Sequence, residues 1–240
     1  MEYKVTVPRA IFEALFLVSL VLLAAGAAHA QLPGHVELSF ELRFGEMTLG
    51  KGEDVLRHDG KKYQVVSDTI PQGLAALFID DIRRESRGSI TANGLKPVSF
   101  IERGRKKGDR VAEFDWTNQE LHLIHGGTNE TISLPAGSID QASLPYALAF
   151  TGSAPETFSV HLTDGRRLKE YTYRTVGREQ IETVLGKLDT IHLEKVRDAD
   201  SKRSFEFWLA IDHHYLPVRV RFTDKKGRAF DSLVTSIRYP

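Results

Sequence analysis

The most informative absence in this sequence is cysteine, which occurs nowhere in its 240 residues. This absence excludes disulfide bonds, thiol nucleophiles, thiolate-ligated zinc and haem attached through cysteine. An excess of charge of one sign is also missing, because 32 lysines and arginines balance 32 aspartates and glutamates. A neutral chain has no long-range field that attracts a polyanion, so no nucleic-acid partner is predicted.

Long apolar runs are missing too, except for one at the start of the sequence. Lys4 and Arg9 precede an apolar run from Ala14 to Ala28, and Ala28-His29-Ala30 places small residues around a cleavage point. This order is typical of a secretory signal peptide, and the run is shorter than the roughly 20 residues that a membrane-spanning helix needs. We therefore expect cleavage after Ala30 and a single exported domain over residues 31–240, with no transmembrane span after cleavage. An uncleaved N-terminal anchor is the alternative.

The rest of the sequence alternates apolar and polar residues with a period of two. Val36, Leu38, Phe40, Leu42 and Phe44 are separated by single polar residues, which is the pattern of a strand with one buried face. Similar segments recur about every ten residues with turn residues between them, a spacing that favours a sandwich or barrel over βαβ units. The predicted strands are 36–44, 51–58, 61–69, 98–104, 110–116, 120–125, 157–163, 167–176, 187–197, 203–211, 217–224 and 228–239.

Two short segments break the alternation and indicate helices. Leu74–Phe78 follows Pro71-Gln72-Gly73, and Leu144–Phe150 follows Ser143, a residue type that commonly caps helix N-termini. Helices this short are not stable alone, so each must pack on the sheet. The predicted fold is mainly β, a curved antiparallel sheet or incomplete barrel with two short helices packed on its concave face. Residues 126–153 offer an alternative boundary between two halves.

No motif in the sequence names a reaction. It contains neither a Gly-x-Ser-x-Gly nucleophile elbow nor a Gly-rich phosphate loop followed by lysine. Asp212-His213-His214 is the densest group of titratable residues, but neighbouring strand residues point to opposite faces, so we expect a polar loop and no metal site. No catalytic residue, metal or cofactor is predicted. A hydrolase that uses His and Asp residues from loops is an alternative.

One stretch of the sequence, from Arg83 to Arg110, is biased towards positive charge. Arg103, Arg105, Lys106 and Lys107 lie at the tip of a predicted hairpin within it. Such a tip can contact anionic lipid headgroups or an acidic partner. The alternative is a hairpin tip that is simply solvated.

Several segments of the sequence match one known family. They are Asp59–Tyr63, Gly94–Phe100, Ile139–Tyr146, Glu182–Thr190, Phe207–Asp212 and Tyr215–Arg219. Together they resemble the exported bacterial domain-of-unknown-function family 3108. The resemblance implies a periplasmic β-rich protein, similar in shape to the half-barrels of LolA-like lipoprotein carriers, and it implies no catalytic residues.

These observations predict a non-enzymatic protein that binds an acyl chain, a lipid or a lipoprotein in an apolar cavity. The residues predicted to line or cover that cavity are Leu74, Leu77, Phe78, Leu144, Tyr146, Leu148 and Phe150. The alternative use of the same residues is to fill a dry core. A second alternative for the whole protein is a structural or assembly factor of the envelope, which binds a protein partner through a strand edge or the basic hairpin.

Overall fold

A computed structural model describes residues 32–78, 80–104, 108–197 and 203–240. Residues 1–31, which contain the predicted signal peptide, lie outside the described residues. Leu32–Pro240 forms one compact unit. In the ranges described, no helix is both long enough and apolar enough to cross a membrane.

The described residues form a single sheet of fifteen strands. Across it the strands follow the order β8-β7-β6-β5-β4-β3-β2-β1-β15-β14-β13-β12-β11-β10-β9. Their bounds are β1 His35–Phe44, β2 Met47–His58, β3 Lys62–Pro71, β4 Ile82–Thr91, β5 Gly94–Gly104, β6 Arg110–Asp115, β7 Glu120–His125, β8 Thr128–Ser133, β9 Ile139–Asp140, β10 Thr157–Thr163, β11 Leu168–Thr183, β12 Gly186–Lys195, β13 Ser204–Ala210, β14 Leu216–Thr223 and β15 Ala229–Arg238.

The chain builds this sheet as two runs of antiparallel hairpins. One run goes from β1 to β8 and the other from β10 to β15, and β1 pairs antiparallel with β15 in the middle of the sheet. β8 and β9 follow each other in sequence but lie at opposite edges, so the chain between them passes from one edge to the other. β9 pairs parallel with β10 and also contacts β5, so the sheet is strongly curved. The predicted curved antiparallel sheet is confirmed, and it is open.

Some strands differ from the sequence expectation. β8 was not predicted, because five of its six residues are exposed and it has no apolar face for the alternation to reveal. The turn at residues 94–97 indicated a strand that ends there but gave it no bounds; that strand is β4, in which charged and small residues occupy most positions. β11 runs to Thr183, past the predicted end at residue 176, because a register shift between Thr175 and Gly177 lets the pairing with β12 continue.

The helices are shorter than expected, and one begins differently. Helix α1 spans Ala75–Phe78, while the second predicted helix is a 3₁₀ turn, Leu144–Tyr146, followed by helix α2, Ala147–Thr151. Ser143 does not cap it, because the Ser143 side chain makes no capping hydrogen bond and instead its Oγ donates to the Asp140 carbonyl at 3.3 Å. The turn before the helix is held by Asp140, whose Oδ1 accepts from the backbone N–H groups of Ala142 and Ser143, each at 2.9 Å.

Two groups of buried apolar side chains form the core. The larger one gathers residues of β1 to β3, β5 to β7, β11 and β13 to β15, among them Leu38, Phe100 and Val218. The smaller one gathers residues of β11 to β13, among them Leu193 and Phe207.

Candidate functional site

The segment from Ile139 to Thr151, called here the crossing segment, occupies the concave face of the sheet. It comprises β9, the 3₁₀ turn and α2. Tyr146 packs in the larger core group, whereas Leu144 and Leu148 pack in the smaller one. Because one short segment contributes to both groups, it divides the concave face into two parts.

Asp140 fixes the start of the crossing segment against β4. Its Oδ2 accepts a hydrogen bond from Ser86 Oγ at 2.6 Å, and Ser86 Oγ in turn lies 3.0 Å from the Tyr63 hydroxyl. Burial raises the pKa of Asp140 to about 6, although the hydrogen bonds from Ser86, Ser143 and Ala142 oppose this increase. All of these groups are buried, so they hold the segment in place and are not open to a ligand.

Tyr146 fixes the middle of the segment against β2. Its hydroxyl donates to Asp54 Oδ2 at 2.5 Å, and its side chain is only 1% exposed. Burial raises the pKa of Asp54, against the lowering effects of hydrogen bonds from Tyr146 and Ser67 and of the charge on Arg84. Burial and the nearby Asp54 carboxylate raise the pKa of Tyr146 well above its ordinary value, so Tyr146 stays a hydrogen-bond donor.

Glu102 provides the third attachment. Its carboxylate accepts from Gln141 Nε2 at 2.8 Å, from Arg84 Nε at 2.7 Å, and lies 2.7 Å from an Arg110 guanidinium nitrogen. Glu102 is buried, and two cations together with an amide satisfy its oxygens. The crossing segment is thus tied to β2, β4 and β5 by three separate polar contacts.

Two grooves flank the crossing segment. Groove A has a volume of about 330 Å³ and lies between the segment and β1 to β3 and β13 to β15. Groove B has a volume of about 230 Å³ and lies between the segment and β10 to β14. Both are lined by Gln141, Phe205 and Phe222, so they adjoin each other. The other apolar residues of groove A are Phe40, Leu42, Leu49, Pro71, Ala142, Pro145, Pro217, Val220 and Phe230, and those of groove B are Leu144, Leu162, Tyr171, Tyr173 and Phe207.

A row of aromatic rings in contact with one another, called here the aromatic ladder, runs across the strands from β1 to β10. Consecutive ring centroids are separated by 4.9 to 6.4 Å, a range in which aromatic pairs attract each other. Five of its members line groove A or groove B, which makes the ladder a shared wall of both. Its members in order are Phe44, Phe230, Phe222, Phe205, Phe207, Tyr173 and Phe158.

The structure separates the residues predicted to line or cover a cavity. Leu144 lines groove B, while Tyr146 and Leu148 are packed in the core. Phe150 is half-buried, and its ring packs edge-on against the ring of His58 with 5.1 Å between the two ring centroids. Leu74 and Leu77 line neither groove and are 79% and 67% exposed. The side chain of Phe78 lies outside the described part of the structure.

The other predicted sites are the basic hairpin, which is described in part, and the Asp212-His213-His214 loop. Arg103 is half exposed, and its Nε lies 3.6 Å from Asp109 Oδ2. Arg105, Lys106 and Lys107 lie outside the described residues. Asp212 and His213 lie in a turn beside Tyr239, whose hydroxyl is 3.1 Å from His213 Nδ1. The described residues contain no group of three His, Asp or Glu side chains placed to hold a metal ion.

The aromatic residues of the two grooves were missed as site residues. Phe205, Phe222 and Phe230 lie on strands that the sequence did predict, and each of them is spaced by two from another inward-facing residue. The available signal was therefore the period of two within each strand. It did not show which strands adjoin across the sheet, and the ladder exists only because β13, β14, β15 and β1 are neighbours.

Comparisons with known proteins place the chain in a family. No protein with a curated function matches the sequence significantly. A chain from the complex of Pseudomonas aeruginosa MucA/MucB is similar at 12% identity and TM-score 0.36; the match covers 85% of this chain and 51%, or about half, of that one. A putative outer membrane lipoprotein-sorting protein domain from Vibrio parahaemolyticus is similar at 12% identity and TM-score 0.23, with 85% of each chain covered. The expected family is confirmed by a match over residues 39–234: the chain belongs to the family described as "Protein of unknown function (DUF3108)".

Proposed function

We propose that this protein is an exported binding protein of the bacterial envelope, which holds the acyl chain of a lipid or lipidated molecule on the concave face of its sheet. The observation on which this proposal depends is the pair of adjoining grooves along the aromatic ladder. Groove A alone, at about 330 Å³, lies at the lower end of the roughly 300–1,000 Å³ typical of small-molecule sites.

The lining of groove A supports an apolar ligand. Phe40, Leu42, Val220, Phe222 and Phe230 provide an apolar wall. The polar residues of the groove already have partners within the protein, as Arg84 does in Glu102 and Asp68 does in Arg83. A ligand that needs few hydrogen bonds therefore fits this groove better than a strongly polar one.

The expected signal peptide supports the compartment. An exported protein meets lipids and lipoproteins, and apolar molecules of this kind need a protein surface to pass through water. A groove on the concave face shields the ligand, while the opening of the sheet leaves a path for its entry.

The test compares binding to the purified mature protein with binding to a plugged variant. Ser232 is half-buried and lines groove A, so Ser232→Trp fills the groove from its wall. The matched control is Ser236→Trp, on the same strand. Ser236 pairs with Ser39, and Ser39 points to the face opposite that of Leu38 and Phe40, so a tryptophan at position 236 lies outside the groove. The fluorescence of N-phenylnaphthylamine, a neutral apolar probe, reports occupancy, and native mass spectrometry after solvent extraction identifies any co-purified ligand.

We expect the wild type and Ser236→Trp to bind the probe and Ser232→Trp to lose most of this binding. Equal binding by the two tryptophan variants would show that groove A is not the site. No probe binding by any of the three proteins would contradict the proposal itself.

A second candidate function is the binding of a protein partner in the envelope. The exposure of Leu74 and Leu77 on and beside α1 favours it, because two large apolar side chains close together in water commonly mark an interaction site. Photocrosslinking from position 77 in living cells tests this function, with Val98, an exposed apolar residue on β5, as the control position. A discrete adduct from position 77 alone supports it, whereas identical patterns from both positions contradict it.

A further inference from the structure

The two grooves differ in charge. Among the described residues that line it, groove B carries Arg167, Lys195 and Arg203 against one carboxylate, Asp164. Groove A carries Arg43 and Arg84 against Asp54, Asp68 and Asp231. Since the whole chain is neutral, the positive charge at groove B is a local feature and not a consequence of composition.

The cations of groove B lie beside its apolar floor. Leu162, Tyr173, Phe205 and Phe207 form part of that floor. Lys195 Nζ lies 4.1 Å from the centroid of the Tyr171 ring, so its charge is held at the wall of the groove by a cation–π contact. An apolar floor with positive groups beside it matches a molecule that has an apolar tail and an anionic end.

Arg167 is placed to take part in such an interaction. It follows the turn between β10 and β11, and its side chain is 56% exposed. Its Nε lies 4.0 Å from Asp164 Oδ2, which is longer than a hydrogen bond. The guanidinium group therefore keeps donors available for a carboxylate or phosphate, which it can bind through two parallel hydrogen bonds.

We infer that groove B selects an anionic amphiphile, with the carboxylate or phosphate of the ligand at Arg167, Lys195 and Arg203 and its acyl chain along Phe205 and Phe207. This inference rests on the proposed function, because it names the chemical class of the ligand that the concave face holds. Fatty acids and acidic phospholipids share this chemistry, and both are sources of such a ligand.

The experiment uses probes with the same tail and different ends. Three probes compete with bound N-phenylnaphthylamine on the mature protein: palmitic acid, palmityl alcohol and palmityltrimethylammonium. A fourth probe, lysophosphatidylglycerol, carries a phosphate end and so distinguishes a preference for phosphate from one for carboxylate. The double variant Arg167→Gln/Lys195→Gln removes two cations of groove B. The control is Arg178→Gln/Lys187→Gln, which removes two exposed cations from the same β11–β12 hairpin outside both grooves.

We expect the wild type to bind palmitic acid about tenfold more tightly than palmityl alcohol, which is the usual size of one charge-assisted hydrogen bond. The groove B variant should lose this preference while it still binds the alcohol, and the control should keep it. Tighter binding of either anionic probe than of the alcohol supports the inference and indicates which anion is preferred.

Two results would overturn the inference and leave the proposed function standing: equal affinity for all the probes, or an equal loss of acid and alcohol binding in the groove B variant. Displacement of the fluorophore by inorganic phosphate alone would also overturn it, because the site would then be a simple anion site. No binding of any apolar probe would instead contradict the proposed function. Circular dichroism of each variant shows that the sheet has formed.

Discussion

The hydrogen bond between Tyr146 and Asp54 provides a sharp test of how the crossing segment is held. Tyr146→Phe removes only the hydroxyl group and keeps the ring in its buried position. The hydroxyl donates to Asp54 Oδ2 at 2.5 Å, and Asp54 then retains Ser67 as a hydrogen-bond donor. A hydrogen bond to a charged group contributes about 1.5–3 kcal/mol, so we expect the free energy of unfolding to fall by about 2 kcal/mol.

Urea unfolding at neutral pH measures this change directly. For a domain of this size a loss of about 2 kcal/mol lowers the melting temperature by about 4–8 °C. In an Asp54→Asn background the acceptor oxygen is kept but the charge is removed, and neutral hydrogen bonds are roughly half as strong. The cost of Tyr146→Phe should therefore fall to about 1 kcal/mol in that background.

Two outcomes would refute this reasoning. A Tyr146→Phe protein within about 0.5 kcal/mol of the wild type would mean that the hydroxyl group contributes nothing beyond an ordinary surface contact. The same cost in both backgrounds would mean that the charge on Asp54 does not strengthen the bond.

Three further predictions concern burial in and around the crossing segment. The pKa of Asp140 is raised from 3.8 to about 6, so the folded state disfavours its charged form and stability falls as the pH rises through this window. Relative to Asp140→Asn, the free energy of unfolding of the wild type should drop by about 2 kcal/mol between about pH 4 and pH 6.5, and a constant difference would contradict the assignment. Leu148→Ala should lower the free energy of unfolding in urea by about 2–5 kcal/mol, because the Leu148 side chain is buried. Its control, Leu74→Ala, should lower it by less than about 0.5 kcal/mol, because Leu74 is exposed, and similar losses would show that the packing is misassigned. Gly88→Ala should lower the free energy of unfolding by more than about 2 kcal/mol, since the added Cβ would lie 2.2 Å from the Lys96 carbonyl oxygen. Its control, Gly52→Ala, has its nearest contact at 3.4 Å and should unfold near the wild-type midpoint. A stable Gly88→Ala protein would contradict the close approach of the two strands.

The strands were predictable where one face is apolar and the other polar. The alternation from Val36 to Phe44 predicted β1, which spans His35–Phe44. β8 was not predictable in this way, because an edge strand with exposed residues on both faces has no period of two. Its pairing with β7 is a matter of backbone hydrogen bonds, which most residue types make equally well.

The candidate site was less predictable than the fold. Leu74 and Leu144 both lie in short apolar segments of similar composition, yet Leu74 is exposed and Leu144 is buried against β11 to β13. Local sequence cannot distinguish them, because the difference is whether another part of the chain covers the segment. The Asp140 carboxylate, 54 residues away from Ser86, decides where the crossing segment attaches.

By itself the sequence determined the fold class, through the period of two and its turn residues, and excluded thiol chemistry through the absence of cysteine. It also predicted the family, on short segments spread along the chain. Only the tertiary structure decided that Phe44, Phe230, Phe222 and Phe205 form one row, because strand order brings together residues from both ends of the chain. The same order puts β8 and β9 at opposite ends of the sheet although they are close in sequence, so the sheet must curve strongly, and the crossing segment that begins with β9 lies between two grooves with different charge.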